Sequence, residues 1–289
     1  MPNLSLLMLL LPALGWGLLP PIVSKIGGRP ANQIFGTALG LLIASIGVFA
    51  VVHPTTDAKS FIMALLAGAF WIMGQVGQYI GYQKIGISRT MPISTGFQLI
   101  GTALIGVFIF GEWSTTVQRI AGVCGIIMLI ICIWFTSITD QSDGKGSRGV
   151  ILRTIIMLLF TTIGYCIYES IPKGLENSGL AIFLPESLGM CLGVIVYLIF
   201  SHQLDAFRQK TSYLNAIGGL VFSIAAVSYI FSVRDNGVNT AFIVSQVSVV
   251  ISTLGGMLVM HEHKSHREMV LTVLGLVLII AGAFTTSLF

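Results

Sequence analysis

The sequence predicts an all-α membrane protein of ten transmembrane helices, arranged as two inverted five-helix repeats. Three observations predict it. The 289 residues hold only 15 Lys and Arg and 11 Asp and Glu, against 55% apolar types and a mean hydropathy of +0.92. Soluble domains carry roughly a quarter charged residues. Ten stretches are long and apolar enough to cross ~30 Å of hydrocarbon at ~1.5 Å of rise per residue. Residues of the second half also repeat those of the first at a near-constant spacing. The same composition excludes an ordinary soluble enzyme and a disordered chain. A formal charge of +4 makes no basic stripe, so no nucleic-acid partner is expected and the lipid bilayer is.

The first span, 4–24, follows a leader without a basic residue and passes Trp16 without a small-residue cleavage site. It is therefore expected to be a helix and not a signal peptide. Span 2, 31–52, opens with Asn32-Gln33 and continues through Thr37. Span 3, 60–83, places Trp71, Gln75, Gln78 and Tyr82 at i, i+4, i+7 and i+11, one face of a helix. Span 4, 91–110, repeats Ser94, Gln98 and Thr102 every four residues, with Thr95 beside them. Span 5, 117–138, is almost wholly aliphatic, and a polar linker, 139–149, follows it.

Span 6, 150–171, offers Thr162, Tyr165 and Glu169, and span 7, 179–200, carries Glu186 after Pro185. Span 8 is 213–233. Span 9, 240–260, has Ser245, Ser248 and Ser252, with Gln246 and Thr253 adjacent. Span 10, 267–289, has Thr272 as its main interior polar residue. These runs lack the alternation of barrel strands, so helices are expected throughout. Spans 5 and 10 are expected at the periphery, with 1–4 and 6–9 around a cavity.

Lys and Arg accumulate in cytoplasmic loops. Lys59, Arg119, Lys173 and Arg234 fall on the side of the N-terminus, and the other eleven on the opposite side. Both termini are thus expected outside, with the linker in the cytoplasm.

Matching 91–137 with the segment 150 positions later brings Gly106 onto Gly256, Glu112 onto Glu262, Gly125 onto Gly275 and Thr136-Ser137 onto Thr286-Ser287. Near the start of each half, Gly15-Trp16 recurs as Gly164-Tyr165 and Ile34-Phe35 as Ile182-Phe183. The expected repeats are 1–138 and 150–289. An odd number of spans per repeat inverts the second copy, and in transporters such repeats bind substrate between the halves.

Polar groups at membrane depth face a cavity or each other, because an unpartnered one costs a few kcal/mol. Here they are amides, hydroxyls and aromatic rings. Asn and Gln both donate and accept, matching adjacent sugar hydroxyls, and an aromatic face covers the C–H face of a pyranose. The alternative for each Ser and Thr is hydrogen bonding between helices. Gln75, Gln98 and Gln246 are expected to hold the sugar, with Trp16 or Trp71 over the ring. Pro20, Pro21, Pro92 and Pro172 are expected to allow local helix breaks.

No phosphate-binding Gly-Lys-Ser/Thr loop exists to use a nucleotide, so a gradient or the substrate itself must supply the energy. Glu186, two turns into span 7, is the best physical candidate for a proton carrier, and Glu169 is the second. Pairing of Glu186 with Lys173 is the competing reading. The four cysteines lie inside spans without metal-ligand spacing, and His261-Glu262-His263-Lys264-Ser265-His266 reads as an interfacial turn. No metal and no cofactor are expected.

Trp16-Gly17 after Pro12, the segment Gly27-Gly28-Arg29-Pro30-Ala31-Asn32-Gln33-Ile34, and Met91-Pro92-Ile93-Ser94-Thr95-Gly96-Phe97-Gln98-Leu99 with Gly111-Glu112-Trp113 closely resemble the bacterial glucose/ribose uptake family of the drug/metabolite transporter superfamily. The resemblance covers nearly the whole chain. It implies the ten-helix inverted-repeat fold, monosaccharide uptake, and proton symport for the glucose members. Carried over, the family's polar positions are Asn32, Gln33, Thr37, Ser94, Thr95, Gln98, Ser245 and Gln246. Segment 91–113 looks like glucose members, whereas Ser245–Val250 and His263-Lys264 look closer to ribose members. The expected function is a glucose:proton symporter of the bacterial plasma membrane. Ribose uptake, export on the same fold, and an intramembrane enzyme are the alternatives.

Overall fold

The computed structural model describes residues 2–140, 147–177 and 179–287. Met1, the middle of the expected linker with Lys145, and the last two residues of the expected tenth span lie outside them. The described chain is helical, without strands, and ten segments are long and apolar enough to span a membrane. The first seven spans are α1 (Pro2–Ile26), α2 (Pro30–Val52), α3 (Ala58–Ile85), α4 (Ile87–Phe108), α5 (Thr116–Ser137), α6 (Arg148–Ser170) and α7 (Leu180–Phe200). The eighth joins the short α8 (Lys210–Leu214) to α9 (Ala216–Asn236). The ninth joins α10 (Val238–Ser245) to α11 (Val247–Val259), and α12 (His266–Ser287) is the tenth.

Most ends lie within three residues of expectation, because hydrophobic length sets them. The largest difference is the start of α4, at Ile87 instead of 91. Gly86 supplies φ 84°, which side chains other than glycine rarely adopt, and the Glu262 carboxylate accepts from the Ile87 and Ser88 amides. The earlier start draws Arg89, expected as a loop cation, into the helix. There it is buried, and its guanidinium meets Glu268 Oε2 at 2.9 Å.

Of the four prolines expected to allow breaks, Pro172 does so, since α6 gives way after Ser170 to a 3-10 turn, Ile171–Gly174, whereas Pro20, Pro21 and Pro92 do not. α1 runs through Pro12, Pro20 and Pro21, and α4 runs through Pro92. Two further interruptions inside spans, at Asn215 between α8 and α9 and at Gln246 between α10 and α11, have no proline near in sequence. Ser245 Oγ donates to the Phe242 carbonyl at 2.7 Å, and Gln246 Nε2 approaches the same oxygen at 3.5 Å. Side-chain donors competing for one carbonyl loosen the helical ladder there.

α3 packs on α6 and α7, α1 on α9 and α11, α2 on α7 and α9, and α4 on α5, α6 and α11. α5 and α12 pack chiefly on each other at the flank. Gly40 and Gly219 let α2 and α9 approach closely, since a Cβ on either would lie 2.8 Å from the other's Cα. Loops gather at alternate ends. At one end Arg29 pairs with Asp205, Gln83 bonds the Gly28 carbonyl, and Arg267 bonds Asp140. At the other, Lys173 pairs with Glu112, and Asn177 bonds Asp57. Hydrogen bonds from Ser60 and Asn177 hold the Asp57 carboxyl at about 2, below the usual carboxylate range.

Candidate substrate site

The polar face expected on α3 is buried and turned toward α4 and α6. The Tyr165 hydroxyl donates to Gln75 Oε1 at 2.8 Å. Gln75 Nε2 faces Gln78 Oε1 at 3.5 Å, and Gln78 Nε2 donates to Ser94 Oγ at 3.0 Å. Tyr82 also donates to Gln78, at 3.1 Å. A chain of neutral donors and acceptors therefore crosses from α6 through α3 to α4. One step along α4 from Ser94, Gln98 donates to the carboxylate of Glu169 on α6.

Aromatic rings adjoin this chain. Trp71 lies 6.4 Å from Tyr165 and 5.4 Å from Phe222 by ring centroids. Phe222 in turn lies 6.0 Å from Trp16, which packs on Tyr229 at 5.4 Å. Trp16 and Trp71 thus share one ring between them, Phe222 of α9. The Trp16 indole N–H is buried without an acceptor among the described residues. Indole only donates, so this hydrogen bond is open to a ligand. The Thr253 hydroxyl on α11 is buried in the same condition.

The remaining expected residues are placed elsewhere or carry other bonds. Asn32 is engaged at the loop end of α2: it accepts from the Arg29 amide at 2.8 Å and donates to Gln209 at 2.8 Å and Ser212 at 2.9 Å. Gln33 donates to the Val23 carbonyl at 3.1 Å and keeps its Oε1 without a partner among the described residues. Thr37 shares a 2.7 Å hydrogen bond with Tyr79. Thr95 is buried beside Ser94. Ser245 and Gln246 form the break of the ninth span.

Glu186 is buried at the contact of α7 with α3, where a Cβ on Gly68 would meet its backbone, and Tyr168 donates to it at 3.4 Å. Lys173 pairs with Glu112 instead of Glu186. Phe222, Tyr229 and Tyr168 were not anticipated as site residues. The signal was present, since Phe222 and Tyr229 stand seven apart on one face of α9, and Tyr165, Tyr168 and Glu169 share a face of α6.

The buried row of neutral amides, hydroxyls and rings thus lies beside one acid, Glu169, held by Gln98. The family model described as "Sugar transport protein" matches residues 7–289. The chain belongs to the sugar transport protein family. The transporter is 44% identical over 282 residues to the "Putative sugar uptake protein" of Lactobacillus johnsonii, covering 97% of this chain and 98% of the relative. It is 38% identical to the glucose uptake protein GlcU of Bacillus subtilis, covering 97% and 96%. It is 37% identical to the "Putative ribose uptake protein RbsU" of Latilactobacillus sakei, covering 99% of each. A solved crystal structure shares the transporter's fold at a TM-score of 0.63 and 12% identity, covering 98% of both chains. These relatives are named for uptake, and the protein is a transporter and not an enzyme.

Proposed function

We propose that the protein imports a monosaccharide, glucose first, across the bacterial plasma membrane by alternating access, with a proton moving alongside. The observation that carries this reading is the neutral hydrogen-bonded row Tyr165–Gln75–Gln78–Ser94, flanked by Trp16, Phe222 and Trp71. Each amide can exchange a protein partner for a sugar hydroxyl at little cost, since both are neutral and bidirectional. The open indole N–H of Trp16 gives the sugar one further donor.

The contact pattern supports two inverted repeats, 1–138 and 150–289. Exchanging each span for the one five later carries the pair α1–α9 onto α6–α3, and α2–α9 onto α7–α3. Matched glycines do the same work: a Cβ on Gly15 would meet Ala225 and the Val221 carbonyl, and one on Gly164 would meet Met73 and the Phe70 carbonyl. The excess of Lys and Arg at the end opposite the N-terminus supports both termini lying outside. Glu169 is the preferred coupling acid over Glu186, because its carboxylate touches Gln98 and so registers whether a sugar has claimed that amide.

Ribose is the second reading, supported by relatives named for ribose uptake at 36–38% identity, close to that of the glucose-named relative. Counterflow of labelled glucose and ribose in proteoliposomes, with and without an imposed pH gradient, separates these readings. Failure of every neutral monosaccharide to exchange would end the proposal. Exchange that ignores the gradient would end its proton component.

A further inference from the structure

Each half places a glutamate in the same turn, and the two glutamates have different partners. After α4, Gly111 has φ 71° and the Glu112 amide donates to the Gly106 carbonyl at 3.0 Å. After α11, His261 has φ 53° and the Glu262 amide donates to the Gly256 carbonyl at 3.3 Å. A Cβ on Gly106 would meet the Glu112 carboxylate, and one on Gly256 would meet that of Glu262.

Beyond the turn the likeness stops. Glu262 accepts from the Ile87 amide at 2.6 Å and the Ser88 amide at 2.9 Å, closing the first turn of α4. Glu112 instead meets Lys173 Nζ at 3.1 Å.

The helix of the second half that corresponds to α4 begins at α10, and it opens in the same way. Gly86 has φ 84° and ψ 164°, and Gly237 has φ 82° and ψ 156°. A Cβ on Gly86 would lie 2.7 Å from the Glu262 carboxyl carbon, whereas one on Gly237 would meet nothing within 4 Å among the described residues. The residue after each glycine differs as sharply: Ile87 is 1% exposed and Val238 is 62% exposed. Contact of α4 with the ninth span also runs through α11, the half that ends beside Glu262.

We propose that Glu262 and Glu112 are alternating latches. In the state described here Glu262 caps α4 and shuts its end of the passage. In the opposite state Glu262 releases α4, while Glu112 leaves Lys173 and caps α10 at the Val238 and Asn239 amides. Unpaired amides at a helix start attract a carboxylate, so each cap stabilises one closed end. Two nearly equal caps keep the two states close in free energy, as a carrier needs. This inference rests on the carrier reading.

The test is maleimide labelling of the full chain in detergent micelles, without sugar, read at Ile87→Cys and Val238→Cys by mass spectrometry. Glu262→Gln leaves one acceptor for two amide donors. It is expected to speed labelling at position 87 roughly tenfold, the worth of one charge-assisted hydrogen bond, and to slow it at 238. Glu112→Gln is expected to shift both sites the opposite way. Rate changes of the same sign at both cysteines, or none, overturn the latch and leave sugar counterflow untouched. Opposite shifts in a chain that exchanges no sugar would keep the latch and remove the carrier reading.

Discussion

Gln98 of α4 donates its side-chain amide to the carboxylate of Glu169 on α6, 71 residues away in sequence. One contact thereby joins a group suited to sugar hydroxyls with an acid inside the bundle. Glu186, by contrast, meets the Tyr168 hydroxyl at 3.4 Å, and no amide side chain bonds it among the described residues.

Gln98→Ala is expected to raise the KM for sugar uptake about tenfold, the loss of one hydrogen bond to a ligand. Glu169 then lacks its amide partner as well. An unchanged KM in transport assays would remove Gln98 from the site.

Glu169→Gln is expected to abolish accumulation driven by a pH gradient while leaving counterflow intact. The amide keeps the shape but carries no exchangeable charge. Glu186→Gln serves as the comparison, and loss of accumulation in that variant alone would return the coupling role to Glu186.

Arg89 and Glu268 form a buried ion pair, with side chains 6% and 2% exposed. Arg89→Met strands the Glu268 carboxylate, a change that costs about 3–5 kcal/mol at buried sites. Adding Glu268→Gln removes the stranded charge and keeps an acceptor for the Asp140 amide, which now donates to Glu268 at 2.8 Å. The double variant is expected to melt above the single one in detergent, and the reverse order would contradict this role.

Lys264, in the loop before α12, has its ammonium pushed down to about 8 by burial first and the Arg89 charge second. The unfolded chain holds that proton up to about 10.4. Between these values the unfolded state binds more protons, so stability rises with pH across the window, and below about 8 the penalty is fully present. Lys264→Met is expected to flatten that rise. Parallel melting curves for wild type and variant from pH 8 upward would count against it.

Gly219→Ala would place a Cβ 2.1 Å from the Thr37 carbonyl, and the resulting overpacking is expected to cost about 1–3 kcal/mol. Gly47→Ala adds a methyl where nothing among the described residues lies within 4 Å, so it is expected to leave the melting temperature unchanged or slightly raised. Equal effects of the two would show that the α2–α9 contact is looser than described.

Much of the site was legible on single helices. Trp71, Gln75, Gln78 and Tyr82 read as one face of α3 because helical spacing is a local property, and all four are buried together. Asn32 illustrates the opposite case. Its polarity at the start of span 2 suited a binding residue, yet Gln209 and Ser212, 177 and 180 residues away, take up its amide.

The number of spans and their near boundaries follow from the sequence alone, because crossing a fixed thickness of hydrocarbon needs only a count of consecutive apolar residues. Partner choice does not follow from it. Glu262 caps a helix that begins 175 residues earlier, Arg89 is drawn inward to Glu268, and Phe222 enters between Trp16 and Trp71 only once α1, α3 and α9 are assembled. Each depends on which of several compatible donors, acceptors or rings the packed helices bring within reach, and packing between distant segments decides that.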